Sequence, residues 1–254
     1  MTTAAPGVAV ETLVRQDRMA VAGSVVVITI LAWWLLVRYA DGMHVWHPHA
    51  ASLGVASFVL TILMWLVMTV GMMLPAVLPW ILMFAESNRV TGNDTARFSV
   101  VWFVTGYFVI WAVYSAVAGS AQLLLQQSSM LQAGDLRLGT IGGGIVLLGA
   151  GLFQFTRLKQ ACLEHCRSPL SFFLSHWEDG PVGVFRMGFR HGLFCLGCCW
   201  ALMALVFALG VMNLFWMAVL TLVVLGEKLL PGGKVLARAV GGLLLVWGMV
   251  VVFS

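Results

Sequence analysis

Residues 54–84 read GVASFVLTILMWLVMTVGMMLPAVLPWILMF, thirty-one consecutive positions without a charged side chain. The hydrocarbon core of a bilayer is about 30 Å thick and is crossed by roughly 20 apolar residues in a helix. The stretch therefore reads as a membrane-spanning helix with length to spare. Pro75 and Pro79 fall in its last third and predict a kink, or an exit from the bilayer, at that level.

Working outward, the same pattern recurs at about 19–38, 98–123, 138–156, 192–210, 213–229 and 235–253, which brings the count to about seven helices. The chain of 254 residues is 61% hydrophobic and 9% charged, where soluble domains carry about 25% charged residues. The expected fold class is all-α, a polytopic transmembrane helical bundle. Residues 1–18 form a cytoplasmic N-terminal segment, and 19–254 form a single membrane domain with a cytoplasmic connection at about 157–190. The polar start from Met1 to Arg18 runs into an apolar segment too long for a signal peptide, so the first run is expected to stay as an anchor.

The net charge of +4 comes from basic residues spread between apolar runs, which argues against a nucleic-acid partner. Seven crossings from a cytoplasmic N-terminus leave only Arg38 and Arg137 outside. They put Arg15, Arg18, Arg89, Arg97, Arg157, Lys159, Arg167, Arg186, Arg190, Lys228, Lys234 and Arg238 inside. That bias is the one that orients bacterial membrane proteins. Glu86, Glu227 and Lys228 close apolar runs and are expected to be solvated or paired at the interface. The glycines of 142–144, with Gly188 and Gly192, are expected to let helices approach closely.

The five cysteines are grouped: Cys162 and Cys166 in ACLEHCRSP, and Cys195, Cys198 and Cys199 in HGLFCLGCCW. Cys162 and Cys166 share a helix face, as do His191 and Cys195, and all are expected at the cytoplasmic mouth. In MTVGMMLP, Met68 and Met72 share a face beside Met73, and Pro75 frees a backbone carbonyl near them. Taken singly, each Cys or Met serves packing equally well. Together they offer thiolates and thioethers, the donors that select copper(I), with zinc the alternative through Cys162, Cys166, Cys195 and Cys198 and with His165 or His191 as substitutes. A second collection point outside is offered by His44, His47 and His49 in DGMHVWHPHA, where a histidine-bearing loop is the plainer account.

Three strings, FQFTRLKQACLEHCRSPLSFFLSHWEDG, MGFRHGLFCLGCCWALM and GVMNLFWMAVLTLVVLGEKLLPGG, lie between Gln154 and Lys234. With MTVGMMLPAVLP in the second helix, they make the chain resemble an uncharacterised bacterial family of predicted metal-binding integral membrane proteins. The resemblance implies a place in the bacterial inner membrane and a metal role for Cys162, Cys166, His191, Cys195, Cys198, Cys199, Met68, Met72 and Met73. The chain departs from the family at Arg157, where proline is usual, so a helix is expected to run more easily through that point.

These readings point to a membrane-embedded copper(I) binder for transport or delivery, without catalysis of its own. One alternative is an accessory subunit of a larger membrane complex, such as a copper-dependent membrane enzyme, with membrane-protein partners or a second copy of the chain. Another is a thiol oxidoreductase using the CxxC spacing of Cys195 and Cys198. No GxxxxGK[ST] motif is present to drive a nucleotide motor.

Overall fold

The computed structural model describes residues 6–45, 54–90, 96–132 and 136–253 of the protein. Its helices are α1 (Pro6–Val45), α2 (Val55–Val90), α3 (Ala96–Gln127), α4 (Thr140–Gln154), α5 (Arg157–Arg167), α6 (Pro169–His176), α7 (Gly180–Ala204), α8 (Val206–Leu209), α9 (Leu214–Leu229) and α10 (Gly233–Phe253). Between α3 and α4 lies a two-residue antiparallel pair, β1 (Leu131–Gln132) with β2 (Arg137–Leu138). Among the described residues, the regular structure is all-helical apart from this hairpin.

Every apolar run read from the sequence falls on a helix, but the lengths differ from expectation. Among the described residues, five helical segments are long and apolar enough to cross a membrane: 18–40, 55–88, 99–127, 180–209 and 233–253. A sixth is reached if α4 and α5, bent by 64° at their junction, count as one. Helix α9 has 16 residues, about 24 Å, and α4 has 15, about 22 Å, both short of a 30 Å core.

The helix expected to continue past residue 156 does not. Thr156 leaves the helical conformation, and its side chain accepts from the Lys159 backbone N–H at 3.2 Å, which starts α5 as a new helix at Arg157. The interval 157–190 holds α5, α6 and the first turns of α7.

Proline does not break α2 either, which stays helical through Pro75 and Pro79 to Val90. Pro75 has no N–H for the carbonyl four residues back, that of Gly71, and the Trp33 indole N–H of α1 donates to that oxygen instead, at 3.2 Å. The freed carbonyl serves helix packing rather than a site.

Helix α7 is the central element, packed most extensively on α3 and also on α5. A Cβ on Gly188 would collide with the Phe103 carbonyl of α3, and one on Gly106 of α3 would collide with the Phe185 carbonyl of α7. Their absence lets the two backbones meet. Outward faces are apolar: Ile30, Leu60, Val117, Leu222 and Val246 are all at least 58% exposed.

One end of the bundle gathers the charged connections. Arg18 of α1 pairs with the exposed Glu86 of α2 at 3.6 Å, Arg167 donates to the Pro231 carbonyl at 3.0 Å, and Lys234 pairs with Glu164. Phe84 packs on Trp177 at the same end. At the other end Gly210 turns the chain at φ +105°, and Asn213 caps α9 by accepting from the Trp216 N–H.

Candidate metal centre

Helix α5 is amphipathic, and its buried face carries Cys162 and Cys166 toward α7. Helix α7 buries Cys195, Cys198 and Cys199 on its inner face, while Leu193 and Trp200 on the other side are exposed. The two helices bring four sulfurs into contact. The Cys198 Sγ lies 3.7 Å from the Cys166 Sγ, 3.2 Å from the Cys199 Sγ and 3.2 Å from the Cys195 carbonyl, and the Cys195 side chain interacts with those of Cys166 and Cys199. Exposure of these four residues is 0–4%, and all five cysteines are free thiols. The expected cytoplasmic mouth is thus a closed interior about midway along the 30-residue span that α7 and α8 form.

Cys162 stands apart, at 9% exposure, with its sulfur against Gly197. His165 is exposed, stacked on Phe194 and bonded through Nδ1 to the Ala161 carbonyl, so it does not face the thiols. His191 does. It is 2% exposed, stacked at 3.7 Å on Trp80, flanked by Tyr107, and its Nδ1 has no hydrogen-bond partner.

Met68, Met72 and Met73 are fully buried. Met73 shares the face of Trp80 about 10 Å away along α2. Helix α2 meets the thiols through Trp80, whose indole N–H donates to the Cys166 carbonyl at 3.0 Å. His47 and His49 lie outside the described residues, and His44 sits in α1 with its side chain outside them.

The charged groups differ most from expectation. Glu227 and Lys228, placed at an interface by sequence, are 1% and 8% exposed and belong to the centre. The Lys228 ammonium donates to the Cys195 Sγ at 2.9 Å, and the Tyr107 hydroxyl lies 3.0 Å from the same sulfur. Lys159, read as a cytoplasmic charge, is fully buried. It donates to the Glu227 carboxylate at 2.5 Å and to the Cys198 carbonyl at 2.6 Å. Gln154 donates to the other Glu227 oxygen at 2.9 Å, and Arg167 donates to the Glu227 backbone carbonyl at 2.6 Å. Lys159 and Glu227 pair with one another, and Lys228 is the ammonium that donates directly to a thiol among the described residues. The available signal was ionisable residues set in apolar runs, in LVVLGEKLL and TRLKQ.

Among the described residues, no group of three or more His, Cys, Asp or Glu side chains is already disposed around one ion position. The thiols instead close on one another. Two sulfurs held at 2.3 Å on a tetrahedral ion stand about 3.8 Å apart. The Cys166–Cys198 separation already matches that, whereas Cys198 and Cys199 at 3.2 Å must open by about half an ångström. The donors gathered here are soft sulfurs, the type that selects copper(I) among metal ions.

The model of one protein family, PpoB2, described as a copper chaperone, matches residues 62–251 of the chain. No curated protein and no solved structure matches it.

Proposed function

We propose, because the chain belongs to the PpoB2 family of copper chaperones, that it is a membrane-embedded protein that holds copper(I) on buried thiols for delivery or transport. The observation that carries the reading is the contact of Cys166, Cys195, Cys198 and Cys199, brought from two helices into one interior. Copper(I) bound by two thiolates carries one negative charge, and Lys228 beside Cys195 supplies the counter-charge that a low-dielectric interior demands. A divalent ion would need a further thiolate for the same balance, so zinc is the second choice.

Membrane embedding is supported by the long apolar helices and their exposed apolar faces. A cytoplasmic N-terminus in a bacterial inner membrane is supported by the gathering of Arg18, Arg167, Arg186 and Lys234 at one end of the bundle. Lys159 and Lys228 leave the inside tally because they are buried, and the bias stays ten to two. In this reading residues 19–254 are one membrane domain without catalysis of its own. Delivery implies a partner, which favours an accessory role beside a copper-dependent membrane enzyme over exchange chemistry at Cys195 and Cys198.

The test is metal analysis of the full-length protein purified under reducing conditions. Wild type takes up copper(I), and Cys166→Ser/Cys198→Ser loses most of it; wild type that stays metal-free and fails to bind added copper(I) overturns the proposal.

A further inference from the structure

Helix α7 carries Met187, His191, Cys195, Cys199 and Met203, one donor at every fourth residue, and each is at most 2% exposed. Residues four apart on a helix are side-chain neighbours, about 5–6 Å between Cβ atoms, and i±4 rows form continuous ridges. The row therefore runs unbroken over sixteen residues, about 24 Å, most of the thickness of a hydrocarbon core. Every member is a soft or borderline ligand suited to copper(I).

Burial alone does not demand such residues. The i, i+4 row of α10, Gly233, Ala237 and Gly241, is equally buried and carries no donor. On α7 itself the adjoining row, with Gly188 and Gly192, is given to close packing on α3. A second observation lies on the row: the His191 Nδ1 is buried and lacks a hydrogen-bond partner, although buried polar atoms are almost always paired.

We infer that this ridge is a relay for copper(I), with the thioethers of Met187 and Met203 as the two stations through which the ion enters and leaves the thiol centre. The inference rests on the copper(I) reading above and adds a path to it. Copper remains copper(I) throughout, and each hop forms one copper–ligand bond as the preceding one breaks. Cys195, bonded to Lys228, takes the ion as a thiolate. As the ion moves on to Cys199, the Cys199 proton passes to Cys195, its neighbour one turn away on the helix, and it returns when the ion leaves for Met203. Thioether and imidazole steps move no proton.

The experiment follows the rate at which full-length protein, loaded anaerobically with copper(I) in detergent, exchanges the ion with a coloured copper(I) chelator. Met187→Leu/Met203→Leu keeps side-chain volume and removes both thioethers. Exchange is expected to slow at least about tenfold in this variant, a measurable rise in barrier. Met249→Leu, at an exposed methionine off the ridge, is expected to exchange as wild type does. Each single variant is expected to slow exchange at least about threefold, so the result does not hang on the double variant folding. Wild type that binds no copper(I) overturns both the function and the relay. Wild type that binds it, with substituted variants exchanging equally fast, overturns the relay alone.

Discussion

Lys159 and Glu227 form an ion pair with both side chains at most 1% exposed, and the pair joins α5 to α9 while Lys159 also holds a carbonyl of α7. Two buried charges are costly to desolvate, and the cost is offset only while each keeps its partner. Lys159→Met strands the Glu227 carboxylate and is expected to cost about 3–5 kcal/mol, whereas Lys159→Met/Glu227→Leu recovers most of that loss. Thermal unfolding of the three proteins in detergent reads the difference; equal loss in the single and double variants would show that the pair carries no such penalty. At this scale the sequence was only partly legible. The spacing of the cysteines located Cys166, Cys195, Cys198 and Cys199, but Lys228 at the edge of an apolar run looked like an anchor. Only the tertiary packing of α9 on α5 and α7 turns it inward to Cys195.

At the scale of elements, α2 shows how a helix tolerates proline when a neighbour takes up the orphaned carbonyl. Trp33→Phe removes the N–H that reaches Gly71 and leaves its oxygen without that donor, at an expected cost of about 1–3 kcal/mol. Pro75→Ala restores the intrahelical N–H, so the same Trp33→Phe change made in that background should cost much less. A double-mutant cycle by unfolding measures the coupling, and additivity would contradict the account. The prolines were legible as a perturbation; their resolution was not, because the compensating donor lies 38 residues earlier in another helix. Likewise the break before Arg157 owes nothing to a proline. Thr156 caps the new helix, and the 64° bend turns the face carrying Cys162 and Cys166 toward α7.

Across the whole molecule, apolar run length was sufficient to find every long helix, because period and hydrophobicity are local properties. It overcounted helices long enough to span a membrane unaided, because α4 ends at the break before Thr156 and α9 starts only at its Asn213 cap, after the Gly210 turn. The bundle's charged end, its apolar exterior and its buried thiols describe one device: a buried, soft-ligand interior with the Lys228 ammonium beside it. Copper K-edge X-ray absorption on the reduced, copper(I)-loaded full-length protein tests that description most directly. The account predicts a first shell dominated by sulfur that collapses in Cys195→Ser/Cys198→Ser; a shell of nitrogen and oxygen, or a sulfur shell unchanged by those substitutions, would contradict it.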